Sequence, residues 1–79
     1  MYYGSWEDTS GKVKLIIDET SNVTLTQGNT SVNTSIKEVD DNNMCKLGDG
    51  GSHGFITFHS PTHGIFLNTN LESFEITKK

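Results

Sequence analysis

Three histidines, one cysteine and a glycine-rich run hold most of the chemistry this sequence offers. His59 and His63 flank Ser60-Pro61-Thr62, a tight turn that would bring two imidazoles toward one metal ion. His53 shares strand parity with His59 but stands roughly 20 Å away along an extended chain. Cys45, on the preceding strand, would add a soft ligand. Zinc needs three or four such ligands at set spacings, and this arrangement matches none of the standard patterns. No metal and no cofactor are therefore expected, with the His59–His63 turn kept as a metal-binding alternative.

Gly48-Asp49-Gly50-Gly51-Ser52 has the glycines of a phosphate cradle. Such a cradle also needs a helix N-terminus or the Lys-Ser/Thr of a P-loop, and strand-like sequence follows instead. The run reads as a mobile hairpin loop, with Asp49 and His53 as contact candidates. Asp40-Asp41-Asn42-Asn43 supplies hard oxygens without calcium-loop spacing and reads as a turn. Glu72 and Glu75 have opposite strand parity, so they face apart and make a poor acid–base couple. Cys45 with His53, or Ser60 with His63, falls in no recognised nucleophile motif. The chain is expected not to be an enzyme.

Composition narrows the partners. The chain has 79 residues, a net charge of −4 and no arginine. Arginine supplies the fork that grips phosphate and guanine, and an acidic surface repels the nucleic-acid backbone. Nucleic acid is thus disfavoured, and a basic protein surface is favoured. No basic-then-apolar leader and no long apolar run is present, so neither a signal peptide nor a membrane span is expected. A single cysteine forms no internal disulfide, which leans toward a reducing, cytoplasmic setting. Three glycosylation triplets begin at Asn22, Asn29 and Asn33, and without a leader they are expected to go unused.

The elements that position these groups read as strands. Val13, Leu15 and Ile17 alternate with Lys12, Lys14 and Asp18, while Ile16 breaks the polar face. Val23-Thr24-Leu25-Thr26-Gln27 alternates again, and Thr and Val suit a pleated surface. Val32, Thr34 and Ile36 continue the pattern until Lys37–Asp40 breaks parity, the mark of a bulge. Met44–Leu47 forms a short strand. His53 to Leu67 is a hairpin, with Ile56 and Phe58 on one face of its first arm and Phe55, Thr57 and His59 on the other. Leu71 to Lys78 ends the chain, with Phe74 and Ile76 together. No window carries a helical period. Seven or eight short strands with turns every ~8–12 residues predict one all-β domain over residues 1–79. It is a small antiparallel barrel or two-layer sandwich, mostly a meander, whose free edges would invite pairing with a second copy.

Gly4-Ser5-Trp6, the Gly-ended turn after it and the strand Lys12–Asp18 resemble the opening of calycin-type barrels. The likeness runs from Gly4 to about Gln27. In lipocalins and avidins a Gly-x-Trp stands on the first strand and its Trp plugs one barrel end. An Arg packs over that Trp in lipocalins, and here only Lys78 and Lys79 fall near the place. The resemblance implies a small lipocalin-like bacterial barrel.

Together these features predict a small acidic binding module that works by protein–protein contact, such as an inhibitor docking on a basic protein. A lipocalin-like domain for a carbohydrate or small ligand is the alternative. The candidate binding residues are Tyr3, Trp6, Asp49, His53, His59 and His63. A homodimer is expected, with Ile16, Phe55 and Phe66 as its contacts.

Overall fold

Alternation of apolar and polar residues governs how this chain folds, and a computed structural model describes residues 2–79. Eight strands follow in order: β1 Gly4–Asp8, β2 Val13–Ile17, β3 Asn22–Gln27, β4 Thr30–Val39, β5 Met44–Leu47, β6 Gly54–Ser60, β7 His63–Leu67 and β8 Ser73–Lys78. A single 3-10 turn, Asp49–Gly51, sits between β5 and β6. Each strand pairs antiparallel with the next, and β8 returns to pair with β1. The result is a closed up-and-down barrel. No helix among the described residues is long and apolar enough to cross a membrane.

Closure corrects the expectation of free edges, because every strand has a hydrogen-bonded neighbour on each side. An eight-stranded barrel has an interior just wide enough for side chains to fill. Here Trp6, Leu15, Leu25, Leu47, Ile56 and Phe66 are among the residues that fill it. The alternation of β2 appears directly in its burial, with Val13, Leu15 and Ile17 inside and Lys14 and Ile16 outside. Fully burying one such aliphatic side chain contributes roughly 1.5–3 kcal/mol. The parity break near Lys37 is also present. The β4–β5 register slips between Ile36 and Glu38, so β4 leaves β3 after Ser35 and joins β5.

Trp6 ties β1 into the core. Its indole N–H donates to the Tyr2 carbonyl at 2.8 Å, and its ring meets Phe58 at 5.1 Å between centroids. Tyr2 stacks flat on the same Phe58 at 3.9 Å. Gly4 leaves room beside this stack. A Cβ there would come within 2.7 Å of Lys78 Cε, so the lysine stem crosses bare backbone. Lys78 is also the register partner of Trp6, and its ammonium ends 5.6 Å from the centre of the Tyr3 ring.

Three hairpins share one turn design that the sequence does not advertise. In the first, the Asp18 Oδ1 accepts the backbone N–H groups of Thr20 and Asn22. In the second, the Asp40 Oδ1 does the same for Asn42 and Met44. In the third, the Asn68 Oδ1 serves Asn70 and Glu72. The fourth residue of each turn is left-handed: Ser21 at φ 66°, Asn43 at 61° and Leu71 at 64°. Asn tolerates this region and Leu does not. The β1–β2 turn uses a variant of the device. There the buried Asp8 accepts from the Ser10 hydroxyl at 2.6 Å and the Val13 N–H at 2.8 Å.

The Gly48–Ser52 loop is folded back on itself. Backbone bonds run from Gly51 N–H to Gly48, from Ser52 N–H to Asp49 and from His53 N–H to Leu47. Gly51 is buried face-on against Phe55, where a Cβ would strike the ring at 2.5 Å. This close contact is one that only a glycine allows.

Two outcomes follow. Replacing the strained, exposed Leu71 by glycine should raise stability by about 0.5–1 kcal/mol, the left-handed cost less glycine's extra unfolded freedom. Equilibrium urea unfolding reads this, and a Leu71→Gly protein less stable than the parent would refute it. The second outcome concerns acid. Burial raises the Asp8 pKa, but the bonds from Ser10 and Val13 outweigh it and hold the carboxyl below its ordinary 3.8. Asp18 is likewise lowered, first by the Asn22 backbone bond against a smaller effect of burial. Groups with a lower folded pKa bind more protons when unfolded in acid, so their contribution is complete above ~pH 5. It shrinks as pH falls through 3.8 and is gone below the folded values. Asp8→Asn should flatten this acid limb of the stability curve, and an unchanged limb would count against the assignment.

Candidate functional site

The sequence-derived candidates scatter over the barrel. Asp49 and His53 stand at the end where β5 turns into β6, with Asp49 exposed. His59 and His63 lie at the other end of β6, on the outer surface. They line a groove of about 210 Å³ with Thr9, Ile65, Glu75 and Thr77. The His63 Nδ1 is already engaged by Thr62 Oγ1 at 2.8 Å. Cys45 points into the barrel, opposite Ile56, so the closed sheet separates its sulfur from both outer histidines. Among the described residues no three His, Cys, Asp or Glu side chains are grouped to hold a metal.

Two further expectations are corrected. Trp6 offers no ring face to a ligand, since it is wholly buried by Phe58 and the neighbouring strands. Phe66 is equally buried inside the barrel and cannot act as a contact between copies. Phe55 is half covered by Gly51. Ile16 is exposed, but β2 and β6 lie on opposite sides of the eight-strand ring. Ile16, Phe55 and Phe66 therefore form no common face.

What the fold does gather is a pocket at the barrel end where β1 begins and where β2 and β4 finish. Its volume is about 190 Å³, below the ~300–1,000 Å³ of drug-sized ligand sites. Tyr2, Tyr3, Ile17, Ile36, Val39 and Cys45 give it apolar walls, and Asp18, Glu19, Ser21 and Asn43 complete the lining. Tyr2 is held by its stack on Phe58, which in turn packs on Trp6. One wall is thus rigid. Val39, which follows the β4 register shift, also lines the pocket, with 59 % of its surface exposed. Tyr3, at 44 %, is the other exposed apolar residue of the rim.

Of the residues singled out from sequence for their chemistry, Tyr3 and Cys45 line this pocket. Asp18, Glu19 and Val39 were missed because each looks like an ordinary turn or strand-end residue. The usable signal was the parity break after Ile36, which leaves an apolar Val39 beside a turn. Cys45 forms the floor at 2 % exposure, and burial, with a smaller push from the Asp40 charge, raises its thiol pKa. No protein-family model matches the chain, and neither curated proteins nor solved structures give a match.

A buried thiol of raised pKa is a poor nucleophile, because the thiolate is the reactive form. Cys45 in the folded protein should alkylate with iodoacetamide at least about tenfold more slowly than in concentrated guanidinium chloride. Intact mass against time measures this. Equal rates in both states would mean that the pocket floor is open.

Proposed function

We propose that the protein is a non-enzymatic binding module that docks a segment of a protein partner on the open barrel end. The observation that carries this reading is the apolar pocket between Tyr3 and Val39. It is sized for one side chain and lies at the end of a barrel whose interior is already filled. Interfaces commonly draw most of their energy from a few anchors seated in such desolvated pockets. An inhibitor acting on a basic protein is one form this module would take.

The calycin-type likeness supports binding over catalysis. Lys78 crosses Gly4 as register partner of Trp6, near the place where lipocalins set an Arg. Small-ligand binding in an inner chamber finds less support, because buried side chains occupy the space a ligand would need. The chemistry of the surface agrees: the histidines sit apart from this pocket and no catalytic couple lines it.

Panning a displayed random-peptide library against the immobilised protein tests the reading. A shared peptide motif should emerge, and Val39→Ser should sharply weaken its enrichment by removing apolar wall without adding charge. A motif that survives Val39→Ser unchanged would move the site elsewhere, and no motif at all would argue against peptide docking.

A further inference from the structure

We infer that the occupant of the barrel-end pocket is a lysine or arginine side chain of the partner, its stem in the apolar walls and its charged head at Asp18 and Glu19. This rests on the docking reading above and adds the chemistry of what is docked. Among the described residues, the charged side chains lining the pocket are two carboxylates, Asp18 and Glu19, and both stand on the exposed β2–β3 turn. The walls beneath them are apolar: Ile17, Ile36 and Val39. A long cationic side chain is the common residue type that satisfies both halves, since its methylene stem buries against apolar surface while its head stays at the polar edge.

The Asp18 carboxylate has an oxygen to spare. Its Oδ1 is committed to Thr20 and Asn22, whereas Oδ2 accepts one longer bond, from the Asn22 side chain at 3.3 Å. Further negative charge comes from Asp40 and Asp41 on the adjacent β4–β5 turn. One cation already stands near this end. Lys78 reaches the Tyr3 ring from across Gly4, outside the pocket lining, and lowers the attraction for an incoming charge. A neutral apolar anchor would leave both carboxylates without a cationic partner. An acidic anchor would face like charge.

The turn design supplies a clean control. Asn68 makes with an amide the same two backbone bonds that Asp18 makes with a carboxylate. Asp18→Asn therefore removes charge while keeping the turn. The test is amide chemical-shift titration of the labelled protein with four capped tripeptides: Gly-Lys-Gly, Gly-Arg-Gly, Gly-Leu-Gly and Gly-Glu-Gly. The lysine or arginine peptide should saturate shifts at Asp18, Glu19, Val39 and Cys45, and added salt should weaken it. Asp18→Asn with Glu19→Gln should weaken it about three- to tenfold, the range expected for exposed ion pairs. Lys78→Met, which keeps the stem over Gly4, should tighten it. If the leucine peptide saturates the same amides as tightly as the cationic ones, the cationic occupant is wrong while the docking pocket stands. If no peptide moves these amides, both fall.

Discussion

Everything in this molecule depends on the pairing of β8 with β1. Three register pairs, Trp6 with Lys78, Glu7 with Thr77 and Asp8 with Ile76, turn an eight-strand meander into a ring. A ring of eight short strands has no room for a second layer, so each inward side chain becomes core. The buried Trp6 sits at this seam and is packed from inside by Phe58. Truncating a buried Trp costs ~3–5 kcal/mol, a large share of the ~5–15 kcal/mol that a domain has in total. A chain this small cannot absorb that loss, which places the seam at the centre of its stability.

Closure also decides where binding is feasible. Because every strand has a paired neighbour on both sides, little free edge is left for strand addition, and a partner would meet side chains at the barrel ends and outer faces. At one end, Gly51 packs on Phe55 and the loop is pinned by its own backbone bonds. At the other, Val39 follows the β4 register shift and lines an apolar pocket rimmed by carboxylates. The two ends differ through one slipped residue and one glycine contact.

Much of the fold was legible in sequence because period-2 alternation is strong in β2 and β3, where every apolar residue except Ile16 lies inside. The bulge at Lys37 and the hairpin from His53 to Leu67 were legible for the same reason. Closure was legible only as one of two forms, barrel or sandwich, since pairing of the first and last strands leaves no local pattern. Phe66 was misjudged because Ile65-Phe66-Leu67 is apolar throughout, and parity cannot tell inside from outside in such a run. Leu71 in a left-handed turn position was hidden too: its neighbours look ordinary, and the constraint comes from the Asn68 side chain. The site was the least legible part. Tyr3 was found as an aromatic, but the pocket is assembled from three chain segments distant in sequence, and its carboxylates arise from a turn that looked merely structural. The histidines drew attention by their chemistry and proved to stand on the outer surface.

The seam itself admits a direct measurement. Cross-strand nuclear Overhauser contacts in the labelled protein should link β1 to β8, with Glu7 close to Thr77 and Asp8 close to Ile76. The same spectra should place the Trp6 indole against Phe58. Contacts between β1 and β2 without any between β1 and β8 would describe an open sheet with free edges. That result would contradict the closed, filled barrel on which the pocket and its proposed binding role rest.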